Sequence, residues 1–188
     1  MKKQDFKVLK TKDLYPFPDN PFHVAEDETL SELAESIKEF GIVTPIITRP
    51  KEDGDGYEVI AGQRRVRASE LAGINTIPAF VLSLDRDRAI ITLVDSNLQR
   101  ENILPSERAF AYKMKSEAMK RQGFRTDLTS SQVVTKLRTD DKVAQGFGVG
   151  RMTVQRFIRL TELIPPILQM VDEGKIALTP AVELSFLK

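Results

Sequence analysis

Between Asp27 and Gly41 the apolar residues Leu30, Leu33, Ala34, Ile37 and Phe40 recur at steps of three and four. That spacing lays one stripe along a helix, with Asp27 or Thr29 placed to cap its start and Gly41 to end it. The pattern then changes. Residues 42–48 are rich in β-branched side chains and read as a strand despite Pro45. KEDGDG reads as a turn, 57–61 as a second strand, 63–71 as a helix closed by Gly73, and 76–82 as a third strand. Upstream, DLYPFPDNPFH over 13–23 holds three prolines and predicts an extended or turning segment. Alternating strands and helices predict an α+β or α/β domain ending near residue 100.

After Pro105 the texture is different. Residues 107–121 carry Phe110, Met114 and Ala118 on one helical stripe, and shorter helices are predicted at about 130–137, 140–146, 150–163, 165–173 and 179–187. No strand pattern returns. The fold class predicted is an α+β N-terminal domain over 1–104, followed by an all-α domain over 105–188. The chain stops with an apolar helix, AVELSFLK, still running, so either a fragment or continuation into another domain is expected.

The 188 residues leave room for one large domain or two small ones, and 41% hydrophobic with 29% charged residues is an ordinary balance for a soluble chain. There is no cysteine and a single histidine, His23. Disulfides, thiolate zinc sites and cysteine nucleophiles are thereby excluded. The apolar runs fall short of the ~20 residues of a membrane span, and MKKQDFKVLK lacks a secretory pattern, so a cytoplasmic protein with no membrane partner is expected. Net charge is +1, but 1–104 balance at −4 and 105–188 at +5. The basic half is where a polyanion would bind, although a solvated charged face has the same composition.

In KVAQGFGVGRMTVQRFIRL the residues Ala144, Gly148 and Val154 stand at offsets of four and six. A helix-turn-helix needs a small residue where its helices cross, a glycine in the turn and an apolar residue inside the second helix. The motif spans about 140–162 and puts 150–161 in the recognition-helix position. Arg151, Thr153, Gln155 and Arg156 are the side chains able to reach base edges or phosphates, and Arg159 would hold phosphate. A helical hairpin with a basic face is the other reading.

YEVIAGQRRVRASELAG runs a strand into Gly62 and opens a helix with Arg64, Arg65 and Arg67. Helix-start N–H groups together with arginines suit phosphate, without the spacing of a P-loop. An arginine-rich surface or interface fits equally. A third segment, DSNLQRENILPSERA, crowds Asn97, Gln99, Arg100, Glu101 and Asn102 together, either as a site or as a helix end capped at Asn102 and Ser106.

These stretches, in this order, resemble ParB-type partition proteins. DNPFH matches an Asn-Pro segment, Gly62-Gln63-Arg64-Arg65-Val66-Arg67-Ala68 the Gly-Glu-Arg-Arg box, and Ser96-Asn97-Leu98-Gln99-Arg100-Glu101 the Glu-Asn-Leu-Gln-Arg-Glu box. The resemblance runs over about 13–187. It implies a sulfiredoxin-like first domain that binds CTP with Mg2+, Gly62, Arg64 and Arg65 holding the triphosphate. Asn97 would lie near the metal and phosphates, with Gln99, Arg100 and Glu101 completing the pocket or its gate-facing surface. It also implies a homodimer clamped on double-stranded centromere-like DNA in plasmid or chromosome segregation, with a ParA-type ATPase as partner.

Three departures stand out. His23, Val24 and Ala25 replace Gln-Pro-Arg, Gln63 replaces glutamate, and Ser96 replaces the glutamate before asparagine. A neutral amide orients water but cannot take its proton. Nucleotide binding with weak or no CTP hydrolysis is therefore expected. Two other readings remain. One is a ParB-like transcription or maintenance regulator of a mobile element that needs no nucleotide. The other is a metal-dependent nuclease built on Asp85, Asp87, Asp95 and Glu101. Sulfiredoxin chemistry itself requires a cysteine and is excluded.

Overall fold

The computed structural model describes residues 4–98, 100, 102–127 and 139–187, and divides into two units, Met1–Leu93 and Val94–Lys188. The helix predicted at 130–137 lies outside the described residues, as do Gln99 and Glu101.

The first unit is built on β1 (Gln4–Lys10), β2 (Leu14–Pro16), α1 (Glu28–Phe40), β3 (Ile46–Pro50), β4 (Tyr57–Ala61), α2 (Gln63–Leu71) and β5 (Thr76–Leu82). The five strands form one sheet in the order β1-β5-β3-β4-β2. The β1–β5 and β3–β4 pairs are antiparallel, while β3–β5 and β2–β4 are parallel. Leu9, Ile46, Val59, Ile77, Ala79 and Val81 form the core against the sheet, joined by Val66 of α2. The stripe read in the sequence places Leu30, Ala34 and Ile37 of α1 against Ala68 of α2. Asp27 caps α1 by accepting the Leu30 N–H at 2.9 Å.

The structure differs from the sequence-based expectation in three places. The strand expected at 42–48 runs over Ile46–Pro50 instead, starting one residue after Pro45. Proline has no N–H for the ladder, so the strand begins beyond it. Strand β1 was not expected. Its alternating apolar residues Phe6 and Val8 face outward, and only Leu9 enters the core. Helix α3 (Arg86–Asn97) was also not expected. Its Ile90, Ile91, Thr92 and Val94 are β-branched, which lowers helix propensity, but Ala89, Ile90, Leu93 and Val94 are each buried and burial prevails. The division between units falls within α3.

The second unit continues with α4 (Pro105–Asp127), α5 (Thr139–Gly146), α6 (Arg151–Leu160), α7 (Pro165–Asp172) and α8 (Leu178–Leu184). Among its described residues there is no strand. Tyr112 of α4 packs with Val143, Ala144 and Val154, and Leu160 packs with Ala109, Leu163, Val171, Ala181 and Val182. The fold is an α+β unit followed by an all-helical one. Among the described residues no helix is long and apolar enough to cross a membrane.

Candidate functional site

Helices α5 and α6 form the helical pair whose spacing the sequence carried. Ala144 is buried where the two meet, and Val154 closes the pair from α6. The intervening turn brings the N–H groups of Phe147 and Val149 back to the Ala144 carbonyl at 3.2 and 3.1 Å. Gly148 turns the chain at φ +63°, a conformation glycine takes without Cβ strain. Tyr112 braces the pair, its ring 5.6 Å from Phe147 and 5.8 Å from Phe157. A larger side chain at the crossing has no room. Ala144→Leu should destabilise the chain by about 1–3 kcal/mol and abolish whatever binding α6 supports. Urea denaturation followed by circular dichroism checks the first part.

The side chains of α6 separate into two groups. Gln155 donates its amide to Asp140 Oδ2 at 3.0 Å and lines a polar cleft of about 260 Å3 with Lys113, Ser116 and Glu162. Arg159 donates to the Ser185 hydroxyl at 3.0 Å and the Ser185 carbonyl at 2.9 Å, and lies 4.1 Å from the Phe186 ring centroid. Both are committed within the unit. Their partners are 15 and 26 residues away in sequence, so no local pattern announced them. Arg151 sits half-buried, with Nε 4.0 Å from Asp141 Oδ1, too far for a hydrogen bond. Thr153 is half-buried. Arg156 is exposed and reaches the Thr179 hydroxyl at 3.2 Å.

In the first unit, β4 runs into Gly62 and α2 begins at Gln63. Gly62 has φ +102°, and a Cβ there would stand 2.7 Å from Ile46 Cγ2. Both backbone conformation and space therefore require glycine. No side chain caps the helix start, and its first turn carries no acidic residue. The opening N–H groups of any helix lack intrahelical acceptors, and here the positive dipole end is not offset by a carboxylate. Gln63 turns its amide back onto the Val59 and Ile60 carbonyls at 3.2 and 3.3 Å.

The three arginines of α2 have different surroundings. Arg64 pairs with Asp27 Oδ1 at 3.2 Å and donates to the Thr29 hydroxyl. The Thr29 hydroxyl, the Leu30 N–H and Arg64 together hold the Asp27 carboxyl below the usual carboxylate range. Arg67 pairs with Glu26 and Glu70. Arg65 instead donates to the backbone carbonyls of Thr44 and Pro45, the latter at 2.8 Å. It has no carboxylate partner among the described residues, and burial pushes its pKa down. A cleft of about 230 Å3 lies beside this turn, lined by Tyr15, Val24, Val59, Gln63, Val66 and Arg67. Uncapped N–H groups, a glycine with no room for a Cβ, and an uncompensated arginine fit a phosphate-bearing ligand.

Asn97 ends α3, buried, with its amide donating to the Ser96 hydroxyl at 3.3 Å. Arg100 is exposed. Of the carboxylates expected for a nuclease, Glu101 lies outside the described residues. Asp85 accepts the Arg88 N–H at 2.9 Å and Asp95 pairs with Lys115. Among the described residues no group of three His, Cys, Asp or Glu side chains could hold a metal.

The first unit is a mixed sheet with an arginine-opened helix, and the second is all-helical among its described residues. Residues 1–98 match the model of the ParB N-terminal domain. The chain is 38% identical over 162 residues to the chromosome-partitioning protein Spo0J of Thermus thermophilus, covering 86% of this chain and 52% of that one. It is 34% identical over 188 residues to the nucleoid occlusion protein of Halalkalibacterium halodurans, covering 100% of this chain and 59% of that one. A solved structure of C-terminally truncated ParB from Caulobacter crescentus, complexed to the centromeric parS site, aligns with TM-score 0.60 at 26% identity. That alignment covers 97% of this chain and 86% of the other. The chain belongs to the ParB family of partition proteins. It spans about half the length of the curated relatives it matches.

Proposed function

We propose that the chain binds double-stranded DNA at a specific sequence through α6, as a partition-type protein, and that a nucleotide held at the start of α2 switches that binding. The observation that carries the DNA reading is the α5–α6 pair: Ala144 and Val154 buried at the crossing, Gly148 in the turn, and Arg156 exposed beyond it. A recognition helix presents its N-terminal residues to base edges in the major groove. The parS-bound Caulobacter crescentus relative supports the same reading.

The direct test selects duplexes from a randomised library and measures affinity by fluorescence anisotropy. The selected duplex should bind at least ~1,000-fold more tightly than an unrelated one. Equal affinity for both would reject sequence-specific binding. Arg156→Ala should weaken binding to all duplexes alike and lower the salt slope by about one, as expected when one phosphate contact is lost.

For the nucleotide, CTP is the ligand the family resemblance supplies, and the α2 start is what supports it. Bound CTP with Mg2+ brings a triphosphate whose negative charge matches the uncapped helix and Arg65. Gly62 lets the backbone approach, and Arg64 and Arg65 hold phosphate oxygens. The roles of Asn97 toward the metal, and of Gln99, Arg100 and Glu101, rest on their motif. Gln63 has its amide turned onto backbone carbonyls, away from a base's task, and Ser96 offers no carboxylate. CTP turnover by the purified chain, read as phosphate release with Mg2+ and DNA present, should stay near background. Multiple turnovers per minute would contradict this assignment.

A further inference from the structure

Resting on the DNA-binding reading, we propose that Met152 is a specificity-determining residue that reads the C5-methyl group of a thymine in the major groove. Met152 is the second residue of α6 and is 68% exposed. The helix has a defined apolar stripe: Val154 and Leu160 are buried, with Phe157 and Ile158 packed beside them. Met152 lies off that stripe. At 3.6 residues per turn it shares the outer face with Gln155, Arg156 and Arg159.

The neighbours on that face sharpen the assignment. Gln155 is held by Asp140, and Arg159 by Ser185 and Phe186. Arg156 reaches Thr179. Met152, at the helix end that enters the groove first, is an exposed large hydrophobic side chain on this face. Thymine is the base that presents a methyl group in the major groove, and an apolar side chain is what recognises it. Methionine is unbranched and polarizable, and adapts to such a contact. The alternative of a purely polar recognition surface leaves this apolar exposure without a contact.

The test uses the full chain and Met152→Ala, each run through selection on a randomised 24-base-pair duplex library. Each selected duplex is then resynthesised with uracil replacing thymine one position at a time, which removes only the methyl group. For the unsubstituted chain, uracil at one or more positions should weaken binding roughly fourfold, the value of one buried methyl group. Met152→Ala should lose that discrimination while keeping its affinity for unrelated duplexes and its thermal midpoint. Met152→Leu should retain part of it. Equal binding of thymine and uracil duplexes by the unsubstituted chain, or an unchanged uracil effect in Met152→Ala, overturns the proposal while sequence-specific binding stands. Failure of the unsubstituted chain to enrich any sequence overturns the DNA-binding reading itself, and the proposal with it.

Discussion

Replacing Glu58 by alanine should lower the stability of the chain by about 3–5 kcal/mol, the usual cost of stranding one partner of a buried ion pair. Arg49 lies in the middle of the sheet with its side chain 1% exposed, and its Nε donates to Glu58 Oε2 at 2.7 Å. Glu52 takes Nη1 at 2.7 Å from a half-exposed position, and the guanidinium lies 5.3 Å from the Phe17 ring centroid. Without Glu58 the Nε–H faces a hole in low dielectric, and Glu52 offsets only part of that loss, so the lower half of the range is expected. Glu58→Gln keeps an acceptor and should lose less. Urea denaturation of the three proteins is the check. A loss below about 1 kcal/mol in Glu58→Ala would mean that water or Glu52 satisfies the arginine and that the pair is not structural. The pair matters for function because β4, which carries Glu58, leads into Gly62.

The second large effect concerns the arginine box. Arg65→Ala should weaken CTP binding by at least ~100-fold, equivalent to one or two charge-assisted hydrogen bonds. Arg64→Ala should weaken it by only ~10-fold, because Asp27 already compensates that charge. The difference follows from the surroundings. Arg65 faces carbonyls and carries an uncompensated charge, whereas Arg64 and Arg67 are neutralised by carboxylates. Calorimetric titration with CTP and Mg2+ distinguishes the two variants, and unchanged thermal midpoints separate lost binding from lost fold. The reverse order of effects would place the phosphates toward Asp27 instead of toward Thr44 and Pro45.

Local chemistry carried much of this in the sequence. The α1 stripe, its Asp27 cap, the Gly41 stop and the limits of α2 and β5 all follow from spacing and capping rules, because those rules act within a few residues. What escaped was set by partners far along the chain. β1 is an edge strand whose alternation points the wrong residues outward, and only pairing with β5 makes it a strand. α3 is helical against its own β-branched composition. In the candidate sites, the residue types were legible but their commitments were not. Nothing in the sequence announces that Gln155 bonds Asp140 or that Arg159 bonds Ser185. Arg64, Arg65 and Arg67 look alike in the sequence and differ only in which carboxylates the fold brings near. An exposed methionine such as Met152 has no signature of its own in the sequence.

The most direct test of a nucleotide-switched DNA-binding protein is calorimetric titration of the purified chain with CTP, and then with GTP and ATP, in Mg2+ and with the selected duplex present. The account predicts binding of CTP alone among the three, lost in Arg65→Ala and accompanied by a change in DNA affinity. No binding of any nucleotide, with sequence-specific DNA binding intact, would contradict it. The chain would then be a DNA-binding regulator in which the arginine-opened helix serves a structural or protein-contact role.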